Sequence, residues 1–465
     1  MTAAEQRDAP PVLAQPPRPA HPLSALQLLR MVRINTLSAC DEELFDELIV
    51  ERRFLWRRAF VVSDPEGVRR VLQDNYDNYP RLYQSRQVFE FSTGSGMLCA
   101  EGDEWRRHRR LINPTLDHRA IQPDVPTLTR LSEEVADYLA GLPPGQEIDI
   151  NQPAAHLIAA ATRHVFAGDD PRIGPTVKEM AHYPGRFGIL DVMPLPDWLR
   201  PLNRWRKSQR DLKNLLPALD EMIAERRDPH YPGGKDLLWR LIHARDRAGG
   251  DRLSDAEIRD EMLTLGTTAV TPLRVLNWVW YLLALHPEAE RRLHDELDDV
   301  LGGRSPTMED MPRLPYLRQV VDETMRLYPP LPVMLRTVAA DDELCGRPIP
   351  KNAIVTIAPW IIHRHRSLWD DPDRFDPDRF TAENVAARSR YAYLPFSTGP
   401  HICTGAPLSL AEILIAVAIL AQRCRFRLVP GHPIEPIGWT SLRAGRGIKV
   451  TVEPRRAGAP AGPPA

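Results

Sequence analysis

Cysteine is scarce in this chain of 465 residues: Cys40, Cys99, Cys345, Cys403 and Cys424 are few, odd in number and widely spaced. That pattern excludes a secreted disulfide framework and leads us to expect a reducing, cytoplasmic setting. Long apolar runs are also missing. The longest, around 413–421, falls short of the roughly 18 residues a membrane-spanning helix needs, so no membrane anchor is expected. No charge of one sign dominates: the formal charge is −2, and the 26% of charged residues are spread along the chain. A basic face for nucleic acid is therefore not expected. No G-x-G-x-x-G fingerprint suggests a dinucleotide domain, and no C-x-x-C accompanies the remaining histidines and cysteines. Low-complexity linkers and repeats are absent between the two ends.

Both ends are rich in proline and alanine. Residues 1–25 and 456–465 read as disordered tails without a signal-peptide core, leaving 26–455 as one catalytic unit. Helical spacing of apolar residues predicts helices over 127–142, 255–285, 287–301, 317–327 and 406–421. Strand candidates are few: 59–62, 353–358 and 448–452. Ser63-Asp64-Pro65-Glu66 has capping-box spacing, which predicts a strand-to-helix step there. The fold class is mainly α with a smaller β part (α+β).

The segment 396–405, Phe-Ser-Thr-Gly-Pro-His-Ile-Cys-Thr-Gly, holds one cysteine between two glycines just before a buried helix. Gly399 and Gly405 let the backbone turn tightly around the sulfur and approach a flat cofactor, and Phe396 can cover one side. Free amides at the helix start favour a thiolate over a thiol. A core cysteine in a glycine-rich turn would look similar. His401 and Cys403 could be half of a zinc site, but no second His/Cys cluster completes it. The pattern F-x-x-G-x-x-x-C-x-G resembles the heme-binding signature of the cytochrome P-450 family.

Four further motifs carry that resemblance in family order, over residues 30 to 453. Glu323 and Arg326 form an E-x-x-R pair on one helix face. Arg379, in Pro-Asp-Arg-Phe, matches the arginine that joins this pair in the family to brace the cysteine loop. Trp105 and Arg109 match a W-x-x-x-R whose residues meet a heme propionate, which bidentate arginine suits. Arg336 and His401 stand at the family's other propionate positions. His363-Arg364-His365 matches an H-R element without metal, and no ligand role is expected for it.

The resemblance then implies a cytochrome P-450 fold holding heme b (iron protoporphyrin IX) between a long distal helix and the cysteine loop, with Cys403 as the metal ligand. Thiolate ligation pushes electron density that promotes O–O cleavage. On the distal helix the usual acid-threonine motif falls on Thr267, Thr268, Ala269, Val270, Thr271 and Pro272. The threonine is kept as Thr271, but Val270 replaces the acid. Pro272 lacks the N–H for the carbonyl of residue 268 and predicts a kink that leaves this carbonyl able to hold water. Thr271, Thr268 and Thr267 are the expected catalytic residues of a relay. A reading in which the threonines only back-bond to the helix stands beside it.

Counting without gaps from these motifs puts Leu265, Ala269, Val333, Met334, Trp439 and Thr440 in the substrate pocket, with Phe89 and Phe91 near it. The lining is mostly apolar, as small-molecule sites are. The expected function is a monooxygenase that inserts one atom of dioxygen into an apolar or amphipathic organic molecule. Its electrons come from an external ferredoxin or flavodoxin with its reductase, docking near Arg106, Arg107, Arg110, Arg423 and Arg425, and the enzyme is a monomer. The alternatives are a heme-thiolate enzyme with other chemistry (peroxide-driven, dehydration, isomerisation or coupling) and a heme-based binding or sensor protein.

Overall fold

Apolar residues at helical spacing become helices in nearly the predicted places. The computed structural model describes residues 11–455 other than 55–56, 84–85, 87–89, 91–92, 175–201, 247–249 and 270. Phe89, Phe91, Val270 and the tail 456–465 lie outside the described residues. Helices Val125–Ala140, Pro287–Leu301, Pro315–Leu327 and Ala406–Arg423 match expectation within a few residues. Pro287 and Pro315 occupy first-turn positions, where the missing N–H costs nothing. The expected helix over 255–285 is two, Asp255–Thr268 and Thr271–Leu285.

These helices enclose the main apolar core, in which Trp278 stacks on Tyr328 at 4.0 Å between ring centroids. Ala406–Arg423 is long and apolar enough to cross a membrane by length and composition, but most of it is buried in protein against Val125–Ala140 and Thr271–Leu285.

The β part is small and joins distant segments. Strands Ile49–Phe54, Arg57–Val62, Ile354–Ile357 and Met334–Thr337 form one sheet in that order. Its middle pair is parallel, with Ala59 opposite Ile354, and its outer pairs are antiparallel. A second sheet pairs Lys449–Pro454 with Cys424–Leu428 and with Ile148–Asp149. The short hairpin of Pro436–Gly438 and Leu442–Ala444 packs its second strand on the Thr271–Leu285 helix.

Two sequence expectations are corrected here. The disordered tail over 1–25 fails for its later part. Leu13 is buried in the main core, Ala14 N–H donates to the Tyr281 hydroxyl at 2.8 Å, and the Tyr328 hydroxyl donates to Ala14 O at 2.9 Å. Arg18 pairs with Asp373 at 2.8 Å and lies over the Phe45 ring. An extended Pro-rich chain has no internal hydrogen bonds, so its backbone groups are free for such partners. The capping-box reading also shifts by one residue: Asp64, not Ser63, accepts from Glu66 N and Gly67 N.

One buried ion pair ties the segments around the site together. Glu323 and Arg326 are wholly buried, and Arg326 donates Nε to Oε2 at 2.6 Å and Nη2 to Oε1 at 2.7 Å. Its remaining N–H groups donate to the carbonyls of His363, Pro372 and Arg374 at 2.7, 2.7 and 2.9 Å. Glu323 Oε1 also accepts from Asp376 N at 2.8 Å. Arg379 Nε stands farther off, at 3.6 Å from the same oxygen.

His363 continues the chain. Leu394 N–H donates to its Nε2 at 2.8 Å, so the proton is on Nδ1, which donates to Arg326 O at 3.1 Å. Burial, then the neighbouring Arg326 charge, push this ring down to about 3.

Two predictions follow from this geometry. Glu323→Ala leaves a buried guanidinium without its anion and should cost ~3–5 kcal/mol in urea unfolding, whereas Arg379→Ala should cost less. Because the folded His363 binds its proton far below the ordinary 6.5, the unfolded chain takes up the proton first. Its contribution to stability is complete above about 6.5 and is lost as pH falls toward about 3. The urea midpoint of His363→Gln should therefore fall less steeply across that window than that of the parent.

Candidate active site

The cysteine loop is shaped by what presses on it from outside. Ser397 and Gly399 both have positive φ, +62° and +70°. A Cβ on Gly399 would clash with Leu72 O, so glycine is required there by handedness and by neighbouring backbone. Gly405 is different. With φ −81°, a Cβ there would meet only Cys403 Sγ, at 3.9 Å. Phe396 packs on the main core, and its carbonyl accepts from Cys403 N at 2.9 Å.

Cys403 lies two residues before the cap of the Ala406–Arg423 helix, and the Gly405 and Ala406 amides donate to it. Burial still raises its thiol above the ordinary value, and these amides with Arg109 oppose that only partly. The expected preference for thiolate in the free side chain is thus reversed: desolvation outweighs the helix end. The residue nonetheless shows surface, so the sulfur looks onto a space inside the protein.

Beside it is a cluster of cations with little to neutralise them. Arg109 Nη1 donates to Thr404 Oγ1 at 2.5 Å and meets no carboxylate among the described residues. Arg336 is 8% exposed, and its one hydrogen bond is to Leu335 O at 3.3 Å. Burial, then Arg81, lower it to about 10. Arg81 pairs with Glu101 at 3.2 Å and donates to His401 Nδ1 at 3.0 Å. Burial and the surrounding arginines push His401 down to about 2, so the ring is neutral and carries its proton on Nε2. Trp105 lies on the His401 ring at 3.9 Å between centroids. A thiol facing an interior space, buried arginines short of anions and a free imidazole N–H fit a group that offers a thiolate-binding metal and two carboxylates, as heme does.

Sequence reasoning missed Arg81, Thr404 and the pair that sets the Gly102–Ile112 helix in place. His108 Nδ1 donates to Glu261 Oε1 at 2.7 Å, and the same oxygen accepts from Met97 N at 2.7 Å. Burial alone would lower His108, but the Glu261 and Glu257 carboxylates outweigh it and raise the ring's pKa. The only local signal was a histidine beside Arg109. His363, given no role from sequence, is the bridge to the cysteine loop described above.

On the distal side the long helix is interrupted beside the predicted Pro272 site, with Ala269 at the end of its first half. The Thr268 carbonyl is taken by the Thr271 hydroxyl at 2.7 Å rather than left for water. The Thr268 hydroxyl back-bonds to Leu265 O at 3.0 Å and Thr264 O at 3.2 Å. The Thr267 hydroxyl makes no hydrogen bond among the described residues. Leu265, Ala269 and Val333 pack on the main core, Met334 on the smaller core under the first sheet, and the Trp439 face carries Arg443 at 4.5 Å. Thr440 lies at the turn between the hairpin strands.

The arginines expected to face a redox partner are largely neutralised. Arg106 pairs with Asp77 and Asp103, Arg107 with Asp251 and Glu257, and Arg423 with Asp137. Arg110 has no such ion pair among the described residues.

Known proteins agree with this geometry. The family model "Cytochrome P450" matches residues 16–452. Cyclooctat-9-en-7-ol 5-monooxygenase of Streptomyces melanosporofaciens is 33% identical over 429 residues, 88% of each chain. Pentalenene oxygenase of Streptomyces avermitilis is 29% identical, over 86% of this chain and 89% of its own. Among solved structures, the cytochrome P450DA heme domain superposes with TM-score 0.78 at 22% identity, over 96% of this chain and 99% of its own. Retinoic acid-bound cyanobacterial CYP120A1 gives 0.76 at 22% identity, over 88% and 92%. With its cysteine loop, its cation cluster and a family match across nearly its whole length, this chain belongs to the cytochrome P450 family of heme-thiolate monooxygenases.

Proposed function

We propose that this monooxygenase binds heme b through Cys403 and oxidises an apolar or amphipathic molecule of terpenoid size. The enzyme is a cytoplasmic monomer that draws electrons from a separate ferredoxin or flavodoxin. The substrate class is supported by the relatives whose names specify terpenoid substrates. The observation that carries the reading is the pairing of a cysteine sulfur, held by the Gly405 and Ala406 amides, with arginines and an imidazole N–H that lack anions.

Bound there, thiolate-ligated heme would supply the activation of dioxygen. The protein's residues do the rest. Cys403 would hold the metal, and its two amide donors would stabilise negative charge on the sulfur. Arg109, Arg336 and the His401 Nε2–H would hold its carboxylates, with Trp105 packed against the imidazole. Leu265, Ala269, Val333, Met334, Trp439 and Thr440 exclude water around the substrate's apolar body.

Proton handling falls to the interrupted distal helix. The Thr271 hydroxyl gives its hydrogen to the Thr268 carbonyl, which leaves its lone pairs as acceptors that orient a water. Thr268 is likewise committed as a donor, and Thr267 completes the polar edge. A second reading, with non-monooxygenase chemistry, is favoured by one feature only: the Thr268 and Thr271 hydroxyls are both committed as donors, and Val270 supplies no acid.

Two measurements check this. The reduced, carbon monoxide-treated enzyme should show the red-shifted Soret band of thiolate ligation; heme bound without that band removes Cys403 from the metal. Thr271→Val under oxygen-18 dioxygen and a surrogate redox pair should divert electrons to hydrogen peroxide and lower labelled product per electron. Unchanged coupling would discard the Thr271 role, and parent product free of the label would favour the second reading.

A further inference from the structure

Most buried arginines in this protein have a matching acceptor. Arg326 has Glu323 and three carbonyls, Arg226 has Asp236 and the carbonyls of Met222 and Ala167, and Arg364, though short of hydrogen bonds, has an ion pair with Asp373 and lies over the Trp360 face. Arg109 and Arg336 belong to the carboxylate-holding cluster of the site. Arg274 is left over.

It lies one turn after Thr271 on the Thr271–Leu285 helix, three residues on and so toward the same face. Its side chain is 6% exposed, and its guanidinium makes no hydrogen bond or ion pair with any described residue. Nε is enclosed without an acceptor. Among the described residues, the charge that reaches it is another cation, Arg443, from the hairpin strand packed on this helix. Burial and then Arg443 lower Arg274 only to about 10, so it stays charged at neutral pH.

A buried, charged group with every partner withheld is a costly arrangement for the fold alone. Its position supplies a reason. Arg443 lies over Trp439, and Arg274 follows Thr271, so this cation stands where the hairpin carrying the pocket residues Trp439 and Thr440 meets the distal helix. We propose that Arg274, with Arg443 beside it, receives the carboxylate of an amphipathic substrate whose apolar body lies along Leu265, Ala269 and Trp439. Planar, bidentate guanidinium recognition suits a carboxylate, and a neutral hydrocarbon would leave this cation unmatched. The inference rests on the monooxygenase reading for where the pocket lies.

Heme-loaded parent, Arg274→Met and Arg274→Lys are to be compared. First, thermal unfolding is followed in sodium acetate against sodium chloride at matched ionic strength, acetate being the smallest carboxylate probe. The parent should gain stability from acetate, the Lys variant should keep part of that gain and the Met variant should lose it. Second, spin-state titrations compare dodecanoic acid with its methyl ester. The acid should bind about tenfold more tightly than the ester in the parent, one charge-assisted contact's worth, with the preference gone in Arg274→Met. Equal acetate responses in parent and Met variant overturn the proposal. If the Met variant does not fold, an ester that binds the parent as tightly as the acid overturns it equally. The carbon monoxide band of the same samples reports the heme-thiolate reading separately, so failure of one is not mistaken for failure of the other.

Discussion

The buried Glu323–Arg326 pair is the joint on which the proximal half of this protein turns. A guanidinium has five N–H donors, and here each has its acceptor: two carboxylate oxygens and the carbonyls of His363, Pro372 and Arg374. Removing two charges from water is costly, and a pair like this is worth keeping only when its geometry is complete. Completeness also gives it reach. One helix, through Arg326, fixes three points along 363–374, and His363 passes the constraint to Leu394, two residues before Phe396. The cysteine is therefore positioned from a helix more than 70 residues earlier in the chain, and the tautomer of His363 follows without freedom.

The same economy sets the electrostatics of the site. At the cysteine, desolvation and helix-end amides oppose each other, and burial prevails for the thiol. A bound metal would reverse that balance, because a coordinating thiol gives up its proton. Around His401 the protein accumulates Arg81, Arg109 and Arg336, with Glu101 paired to Arg81, and the imidazole stays neutral as a result. Both features are unfavourable for the protein alone and become favourable with a group that brings a cation to the sulfur and anions to the arginines. This is the physical case for the heme site proposed at these positions.

The sequence made the periodic and motif-bearing parts legible. Helices 287–301 and 406–421 follow from apolar spacing and first-turn prolines, and Glu323, Arg326 and Cys403 from motif spacing. What was not legible depends on contacts between remote segments. Leu13 and Ala14 read as a loose tail because tyrosine hydroxyls from residues 281 and 328 cannot be paired with them by pattern. His363 read as bland because its partners are two main-chain groups, which no residue type announces. For Gly399 the tight turn was legible, and the Leu72 carbonyl pressing on it was not.

The distal helix shows how one substitution pattern changes several properties at once. Pro272 removes an N–H that an uninterrupted helix would give to the Thr268 carbonyl, and the Thr271 side chain fills the place with its own hydroxyl. The repair satisfies the backbone but commits the hydroxyl as a donor, so Thr271 can act toward water only as an acceptor. With valine at 270 no acid stands beside it, and the source of protons must lie off this turn, in solvent reaching the accessible Thr268 edge. One turn further on, Arg274 adds a permanent cation to the same helix. A cation near that water makes the water's proton easier to lose, and an anionic substrate would cancel the effect. With the proposed carboxylate at Arg274, substrate charge and proton supply would be coupled through a single turn of helix.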